Sequence, residues 1–381
     1  MISGHAAPGP LGDAVDVLDR ARELDRAFPP APAPRSPRRK PCHGRPGRIE
    51  TPVAASLAGQ PAGHNQQGME SMASILILGS GGQLGFELMR AAWPAALQPV
   101  GLPRARCDIA DADSVTRIVH DTRPAIIVNA AAYTAVDRAE AEPEAAFRTN
   151  RDGPAVLGAV CAEHGIPLIH VSTDYVFDGT KHGPYGETDQ VAPLGIYGHS
   201  KLEGEVALAA AWDKHVILRT AWVFGAQGQN FVKTMIRLGS ERAALSVVDD
   251  QRGCPTPADS LAGAIAAIAA AILDGRGSWG TYHFAGDEPV SWHGFAAAIF
   301  ERLARRIGKS PVLTPITTDA YPTAARRPAN SMLACARITR DYGIAAPSWR
   351  AGLDRVMGEL ISAPCDGGGT AAALARPGVA E

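Results

Sequence analysis

From about residue 74 to residue 360, short apolar runs alternate with longer amphipathic segments along the chain. Unbroken apolar runs of about four to eight residues are typical of strands buried on both faces, whereas apolar residues three or four positions apart are typical of helices. The predicted strands are 75–78, 125–129, 168–171 and 216–218, and the predicted helices are 82–92, 200–211 and 258–273. This succession predicts a parallel sheet with crossover helices.

A glycine-rich turn at residues 79–85 follows the first strand and opens the first helix, with Gly79, Gly82 and Gly85 spaced as GxxGxxG. Glycines permit a tight turn and close backbone approach, while the free N–H groups at the helix start favour a phosphate. A turn without a ligand can share this spacing, but its position between strand and helix favours a dinucleotide site. We therefore predict an α/β fold, a Rossmann-type doubly wound parallel sheet with a smaller C-terminal α/β substrate lobe.

Composition divides the chain into four parts. Residues 1–71 include a Pro- and Arg-rich stretch and a polar, Gly-rich one, and they are predicted to be a disordered N-terminal extension. Met69 and Met72 precede the first strand, so an upstream extension of the gene model is one interpretation. Residues 72–222 are expected to form the dinucleotide-binding core, 223–361 mainly a substrate-binding lobe interleaved with it, and 362–381 a flexible tail.

Composition also narrows the class of protein. The chain has 381 residues, 46% of them hydrophobic, and a formal net charge of -2, without a basic stripe that would suggest nucleic acid. Its six cysteines are far apart and lack the CxxC spacing of zinc sites, which favours reduced thiols and no metal. The longest apolar stretch, 261–273, is too short to cross a bilayer. These features predict a cytoplasmic enzyme with a small-molecule substrate.

The end of the second predicted strand bears on the choice of dinucleotide. An acidic residue there would bind the ribose of NAD, but this chain has Arg104 and Arg106 instead. An arginine that neutralises a 2′-phosphate favours NADPH, although both side chains would be equally compatible with a solvated surface. Asp108 is expected on the adenine side of the cofactor, with a helix N-cap as the alternative.

Tyr197 and Lys201 are four residues apart, so that on a helix both side chains project from one face. A ketone that receives a hydride needs a proton, and a phenol donates it better when a nearby positive charge lowers its pKa. Lys201 would supply that charge and also bond the nicotinamide ribose. Such a pair alone is commonest on helix surfaces, and only its place after a dinucleotide fold makes it a candidate catalytic pair.

Hydroxyl groups follow the predicted strand 168–171, at the edge where open parallel sheets bind ligands. Ser172 and Thr173 are both candidates to bond the substrate carbonyl and stabilise the developing oxyanion, and turn capping is the alternative for each. Small alanines after Asn129 would let the cofactor lie close to the backbone.

Six motifs together are similar to those of the dTDP-4-dehydrorhamnose reductases, a family of the extended short-chain dehydrogenase/reductase superfamily. They are GQLG at 82–85, NAAAYTAVDRAE at 129–140, STDYVFDG at 172–179, YGHSKLEGE at 197–205, RTAWVFG at 219–225 and RPANS at 327–331. The resemblance implies reduction of the 4-keto group of a dTDP-4-dehydro-6-deoxy sugar, for bacterial surface polysaccharide. One departure from the family, Pro103-Arg104 where many relatives carry an acid, leaves the choice between NADPH and NADH open.

Carried over by motif, the resemblance implies Tyr197 as proton donor, Lys201 as its tuning partner and Thr173 as the hydroxyl that orients the ketone. The turn itself contributes Gly79 and Gly85 as predicted cofactor contacts. The resemblance implies the others, which are Gly82, Gln83, Leu84, Asp108, Ile109, Ala131, Ala132, Thr134, Val171, Tyr197 and Lys201. Asp174 and Trp222 match positions around the sugar nucleotide, and a core role is the alternative for Trp222. The glutamates that bridge a metal-bound dimer in some relatives cannot be matched, so metal and homodimer stay open.

Two other functions share these features. A sugar-nucleotide epimerase or dehydratase would share the turn and the Tyr-Lys pair, but a dehydratase would need a carboxylate acid/base pair where Asp174 is followed by Tyr175. A non-catalytic regulatory subunit is the alternative from another class. The presence of Thr173, Tyr197 and Lys201 together favours catalysis.

Overall fold

The structure, a computed structural model, describes residues 73–362. The predicted extension 1–71 lies outside the described residues, as does the predicted tail apart from its first residue. The strands are β1 Ala73–Leu78, β2 Leu97–Leu102, β3 Ile126–Asn129, β4 Leu168–Thr173, β5 His215–Thr220, β6 Val223–Phe224, β7 Ala244–Val248, β8 Arg252–Gly253, β9 Thr256–Pro257, β10 Gly280–His283, β11 Val290–Ser291 and β12 Val312–Ile316.

The helices are α1 Gln83–Arg90, α2 Ala112–Thr122, α3 Val136–Ala141, α4 Pro143–Phe147, α5 Gly153–His164, α6 Ile196–Ala211, α7 Phe231–Glu241, α8 Ala258–Leu273, α9 Trp292–Ile307, α10 Ala336–Tyr342 and α11 Trp349–Ser362. A π-helical turn, Arg148–Asp152, joins α4 to α5, and a 3₁₀ turn, Asp174–Val176, follows β4. Each strand and helix predicted from the sequence is present. The predicted helix 200–211 starts four residues earlier than expected, at Ile196.

Six strands form one parallel sheet in the order β10-β5-β4-β3-β1-β2. The prediction of a doubly wound parallel sheet is confirmed. The chain passes from β1 outward to β2 and then crosses to β3 on the other side of β1, so the strand order reverses between β1 and β3. Ligands of open α/β sheets bind at such a reversal, outside the carboxyl ends of the strands.

The sheet is buried on both faces, which explains the unbroken apolar runs. In β1, Ile75 and Ile77 pack in a cluster with α8, while Leu76 and Leu78 pack on the opposite face against residues of α2 and α5. All four side chains are at most 1% exposed. Fully burying one such side chain contributes about 1.5–3 kcal/mol relative to leaving it in water. Alternate residues of β1 therefore stabilise the packing of helices on both faces of the sheet.

A second apolar core lies in the C-terminal half, between α7, α9, α11, β7 and β12. Its largest fully buried member is Trp349, which packs edge-on to Phe295 at a ring distance of 5.4 Å. Two elements that lie between β7 and α9 in sequence belong instead to the central sheet: α8 packs on it, and β10 pairs with β5. The C-terminal half therefore contributes both to a separate core and to the sheet itself.

No helix among residues 73–362 is both long enough and apolar enough to cross a membrane.

Candidate active site

The turn after β1 contains glycines at positions where a side chain would collide with neighbouring backbone atoms. Gly79 has φ +82°, and a Cβ there would lie 2.6 Å from the backbone nitrogen of Ala131, which follows β3. Gly82 caps α1 in extended conformation without a side-chain hydrogen bond, and the first turn of α1 has no acidic residue. Its N–H groups and the positive end of the helix therefore face an anion site without a competing protein carboxylate.

Gly85 has a different purpose from the other two glycines, because it lets α1 pack on the turn itself. A Cβ at Gly85 would lie 2.2 Å from the carbonyl oxygen of Gly79 and 2.6 Å from the Cα of Ser80. Both neighbours are backbone atoms of the phosphate turn and cannot rotate away.

We expect Gly85→Ala to destabilise the fold by about 1–3 kcal/mol, the usual cost of overpacking, and to weaken dinucleotide binding because α1 must move off the turn. Urea denaturation and calorimetric titration with NADP⁺ measure the two effects. Gly263→Ala in α8 is the matched control, since nothing lies within 4 Å of its Cβ and alanine favours a helix. A Gly85→Ala protein as stable as that control would contradict the packing argument.

A cleft of about 390 Å³ lies at the strand-order reversal. Its lining includes six predicted cofactor contacts, namely Gly79, Gly82, Asp108, Ile109, Ala131 and Ala132, together with Gly81, Pro103, Arg104, Ala105, Cys107, Ala130 and Thr149. Leu84 instead packs against the apolar core, and Thr134 is exposed outside the lining. The cleft therefore brings together residues from Gly79 to Thr149, up to 70 positions apart in sequence.

The structure separates the two arginines beyond β2. Both are exposed, but only Arg104 lines the cleft. Asp108 does not cap a helix, since Asp111 accepts the N-cap hydrogen bond of α2 from Ser114 at 3.2 Å. Asp108 is bound by Arg148 at 2.7 Å; burial raises the pKa of this carboxyl, but that hydrogen bond outweighs it and lowers the pKa overall. Sequence analysis missed Arg148, which comes from the π-helical turn.

Helix α6 carries Tyr197 in its first turn and Lys201 one turn later. The Lys201 side chain is 1% exposed, and its ammonium donates to the carbonyl oxygen of Val171 at 2.7 Å. Burial lowers the pKa of Lys201 to about 8. Burial also raises the pKa of Tyr197 to about 12, while the nearby hydroxyl of Thr173 lowers it in part. Burying a cation without a carboxylate in contact costs folding free energy, so such a cation indicates a functional site.

Beneath Lys201 lies a polar network that sequence analysis missed. Lys201 Nζ lies 3.3 Å from His170 Nε2, and His170 Nδ1 lies 3.0 Å from the side-chain amide of Asn129. Asn129 Oδ1 accepts the backbone N–H of Ala131 at 3.1 Å. The pKa of His170 lies well below its usual value because of burial and the neighbouring Lys201. The network ties α6 to the cleft-lining segment after β3.

The structure distinguishes the two hydroxyl candidates after β4. Thr173 donates to Asp174 Oδ1 at 2.9 Å and approaches Tyr197. Ser172 is buried and pairs in register with Arg219 of β5, so it faces the other side of the sheet. Burial raises the pKa of Asp174 to about 7, although hydrogen bonds from Thr173 and Ser331 lower it in part. Thr173, Asp174 and Tyr197 are therefore adjacent.

Trp222 has φ +50°, which is unusual for a bulky residue and indicates stored backbone strain. Its indole stacks on Trp292 with ring centroids 3.4 Å apart and donates to Ser331 Oγ at 3.0 Å. Gly253 lies against the ring, because a Cβ there would come within 2.5 Å of it. Sequence analysis missed Trp292, and it quoted Ser331 within RPANS without a role, since spacing gives no contact across 109 residues.

In residues 73–362 no group of three or more His, Cys, Asp or Glu side chains is arranged to hold a metal ion.

The chain is similar in sequence and in structure to proteins of one known family. Residues 72–362 match the family model of the RmlD substrate binding domain. The dTDP-4-dehydrorhamnose reductase of Sinorhizobium fredii is 43% identical over 289 residues, which are 75% of this chain and 97% of that protein. The crystal structure of the Bacillus anthracis dTDP-4-dehydrorhamnose reductase in complex with NADP is 36% identical with a TM-score of 0.70, over 75% of this chain and 99% of that one.

A UDP-glucose 4-epimerase from Brucella ovis in complex with NAD also resembles the structure, with a TM-score of 0.62 over 76% of this chain and 98% of that one. At 17% identity this likeness concerns the fold alone. The similarity in sequence therefore lies with the reductases.

Proposed function

The chain belongs to the dTDP-4-dehydrorhamnose reductase family, and on that premise we propose that it reduces the 4-keto group of dTDP-4-dehydro-L-rhamnose to dTDP-L-rhamnose with NADPH, in the synthesis of bacterial surface polysaccharide. The observation that carries the proposal is the buried, carboxylate-free Lys201 beside Val171 O, on the helix that presents Tyr197 to Thr173. Glu205 acts on Lys201 only through space and is itself paired with Arg219, so burying this ammonium without an ion-pair partner costs free energy that a purely structural role does not explain.

The residues of the cleft fit a dinucleotide. Gly79 and Gly82 leave room at the start of α1, where free N–H groups suit a pyrophosphate, and Ile109, Ala131 and Ala132 provide small or apolar walls. Gln83, Leu84 and Gly85 would contribute backbone and packing, and Val171, Lys201, Tyr197 and Thr134 would hold the nicotinamide half. When bound, the dinucleotide supplies the hydride.

The protein's own residues supply the proton and the orientation. Tyr197 donates its phenolic proton to the carbonyl oxygen as that oxygen becomes an alkoxide. Lys201, an ammonium below about pH 8 and one turn after Tyr197 on α6, would favour the phenolate that remains by its positive charge, against the burial that raises the pKa of Tyr197 to about 12. Thr173 offers its hydroxyl to the same oxygen and holds the ketone against Tyr197.

The sugar nucleotide would contact Asp174 and Trp222, both of which approach Ser331. This arrangement supports a division in which residues 72–222 mainly bind the dinucleotide and 223–361 mainly form the substrate lobe. The preference for NADPH rests on Arg104, whose side chain lines the adenosine end of the cleft near Asp108. A guanidinium at that position suits a 2′-phosphate.

The proposed function predicts substrate-dependent loss of nicotinamide absorbance when purified protein meets freshly generated dTDP-4-dehydro-L-rhamnose. We expect NADPH to be consumed faster than NADH because of Arg104. Product identification by mass spectrometry and NMR distinguishes reduction from epimerisation, in which the cofactor is regenerated. Folded protein that binds NADP⁺ but consumes neither cofactor would exclude this substrate and favour another keto sugar or a regulatory subunit.

A further inference from the structure

Gln83, the first residue of α1, has both ends of its side-chain amide bonded to the C-terminal half of the chain. Its Nε2 donates to the carbonyl oxygen of Val223 at 3.0 Å. Its Oε1 accepts from the side-chain amide of Asn230 at 2.7 Å. These bonds span 140 and 147 positions in sequence. Because its carbonyl oxygen and one N–H of its amide are both engaged by the C-terminal half, the side chain is held in one orientation, and the backbone N–H of Gln83 is available to a phosphate at this helix start.

The two partners of Gln83 hold key parts of the second lobe. Asn230 caps α7, with its Oδ1 accepting the N–H of Lys233 at 3.1 Å, and its amide also donates to the carbonyl oxygen of Gly225 at 2.8 Å. Val223 follows the strained Trp222 directly. The Gln83 amide is therefore joined to the start of α7 and to the residue after Trp222.

The packing around Gln83 is too close to let it move alone. A Cβ on Gly228 would lie 3.1 Å from Gln83 Cβ, and one on Gly225 would lie 3.7 Å from Gln83 Cγ. The loop 225–230 thus folds against the side chain. A displacement of the first turn of α1 must therefore stretch the two hydrogen bonds of the Gln83 side-chain amide or move this loop with it.

We propose that Gln83 is a positioning residue that couples dinucleotide binding at the start of α1 to the placement of Trp222 and α7 in the substrate lobe. A pyrophosphate bound to the backbone N–H groups of Gln83 and Leu84 would fix the first turn of α1, and the Gln83 amide passes that constraint to Val223 and Asn230. The inference rests on the proposed function for the identity of the two ligands. Coupling is reciprocal, so a sugar nucleotide that orders the lobe must also tighten dinucleotide binding.

The first test is hydrogen exchange of the full chain with and without NADP⁺. We expect NADP⁺ to slow exchange in the first turn of α7 in the wild-type protein, and this protection to disappear in Gln83→Met, which keeps the side-chain length but has no amide. Gln98→Met, an exposed glutamine of β2, is the matched control and should behave as wild type. Absent protection in wild type, or equal protection in Gln83→Met, would overturn the inference.

The second test measures the coupling itself by calorimetry with NADP⁺ and dTDP-L-rhamnose, each alone and in the presence of the other. We expect wild type to bind each ligand at least about fivefold tighter when the other is present, the lower end of usual allosteric coupling. In Gln83→Met the ratio should fall to about one, whatever the affinity of the variant for NADP⁺ alone. An unchanged ratio would contradict coupling through this amide.

Asn230→Asp tests the same link from the other end. Aspartate keeps the N-cap acceptor for Lys233 but loses the donor to Gln83 and to Gly225. We expect the same loss of coupling, and the double variant with Gln83→Met should lose no more than either single change. Additive losses would mean that the residues act separately. If dTDP-L-rhamnose does not bind while NADP⁺ still protects α7, the coupling stands and the proposed substrate is wrong.

Discussion

Tyr197→Phe is expected to lower turnover about 10²- to 10⁴-fold, the usual contribution of a positioned general acid. The Tyr197 phenol lies beside Thr173, and phenylalanine keeps the ring while removing the proton. Affinity for NADP⁺ should stay within about twofold of wild type because Lys201 remains bound to Val171 O. Steady-state kinetics and calorimetric titration give the two numbers.

The control for this change is Tyr342→Phe, which removes a phenol far from the cleft. Tyr342 accepts a hydrogen bond from the backbone of Ser278 and packs edge-on to Tyr282. Its loss should cost some stability and leave turnover unchanged. Turnover of Tyr197→Phe within about threefold of wild type would exclude Tyr197 as the proton donor.

Glu205→Gln is expected to destabilise the protein by about 3–5 kcal/mol, the cost of leaving one partner of a buried ion pair uncompensated. Glu205 and Arg219 are 4% and 5% exposed, and the guanidinium donates to the carboxylate through two nitrogens, the shortest contact being 2.6 Å. The glutamine still accepts a hydrogen bond but carries no charge. Urea denaturation measures the free energy of unfolding.

The effect should extend to the active site, because Glu205 lies one turn after Lys201 on α6 and Arg219 lies on β5. The ion pair therefore holds the catalytic helix against the sheet. Glu241→Gln is the matched control, since its pair with Arg237 is exposed and worth about 0.3–0.5 kcal/mol. A Glu205→Gln protein no less stable than this control would show that the buried pair contributes nothing net.

Local patterns in the sequence predicted the parts of this protein whose structure depends on near neighbours. The apolar runs predicted the strands because each strand of this sheet is buried on both faces, and the glycine spacing predicted the tight turn between β1 and α1. The four-residue spacing of Tyr197 and Lys201 put both on one helix face, although that helix starts earlier than its pattern suggested because Gly195 caps it.

Only the tertiary structure decided what these residues touch. Whether Ser172 or Thr173 approaches Tyr197 depends on strand register, and Arg104 was separated from Arg106 by the turn after β2. The contacts of Lys201 with His170, of Trp222 with Trp292 and of Gln83 with Asn230 join segments 31 to 147 residues apart. Spacing along a chain constrains only neighbours within a turn or a strand, whereas burial, charge and hydrogen bonding at the site arise from segments that the sheet order brings together.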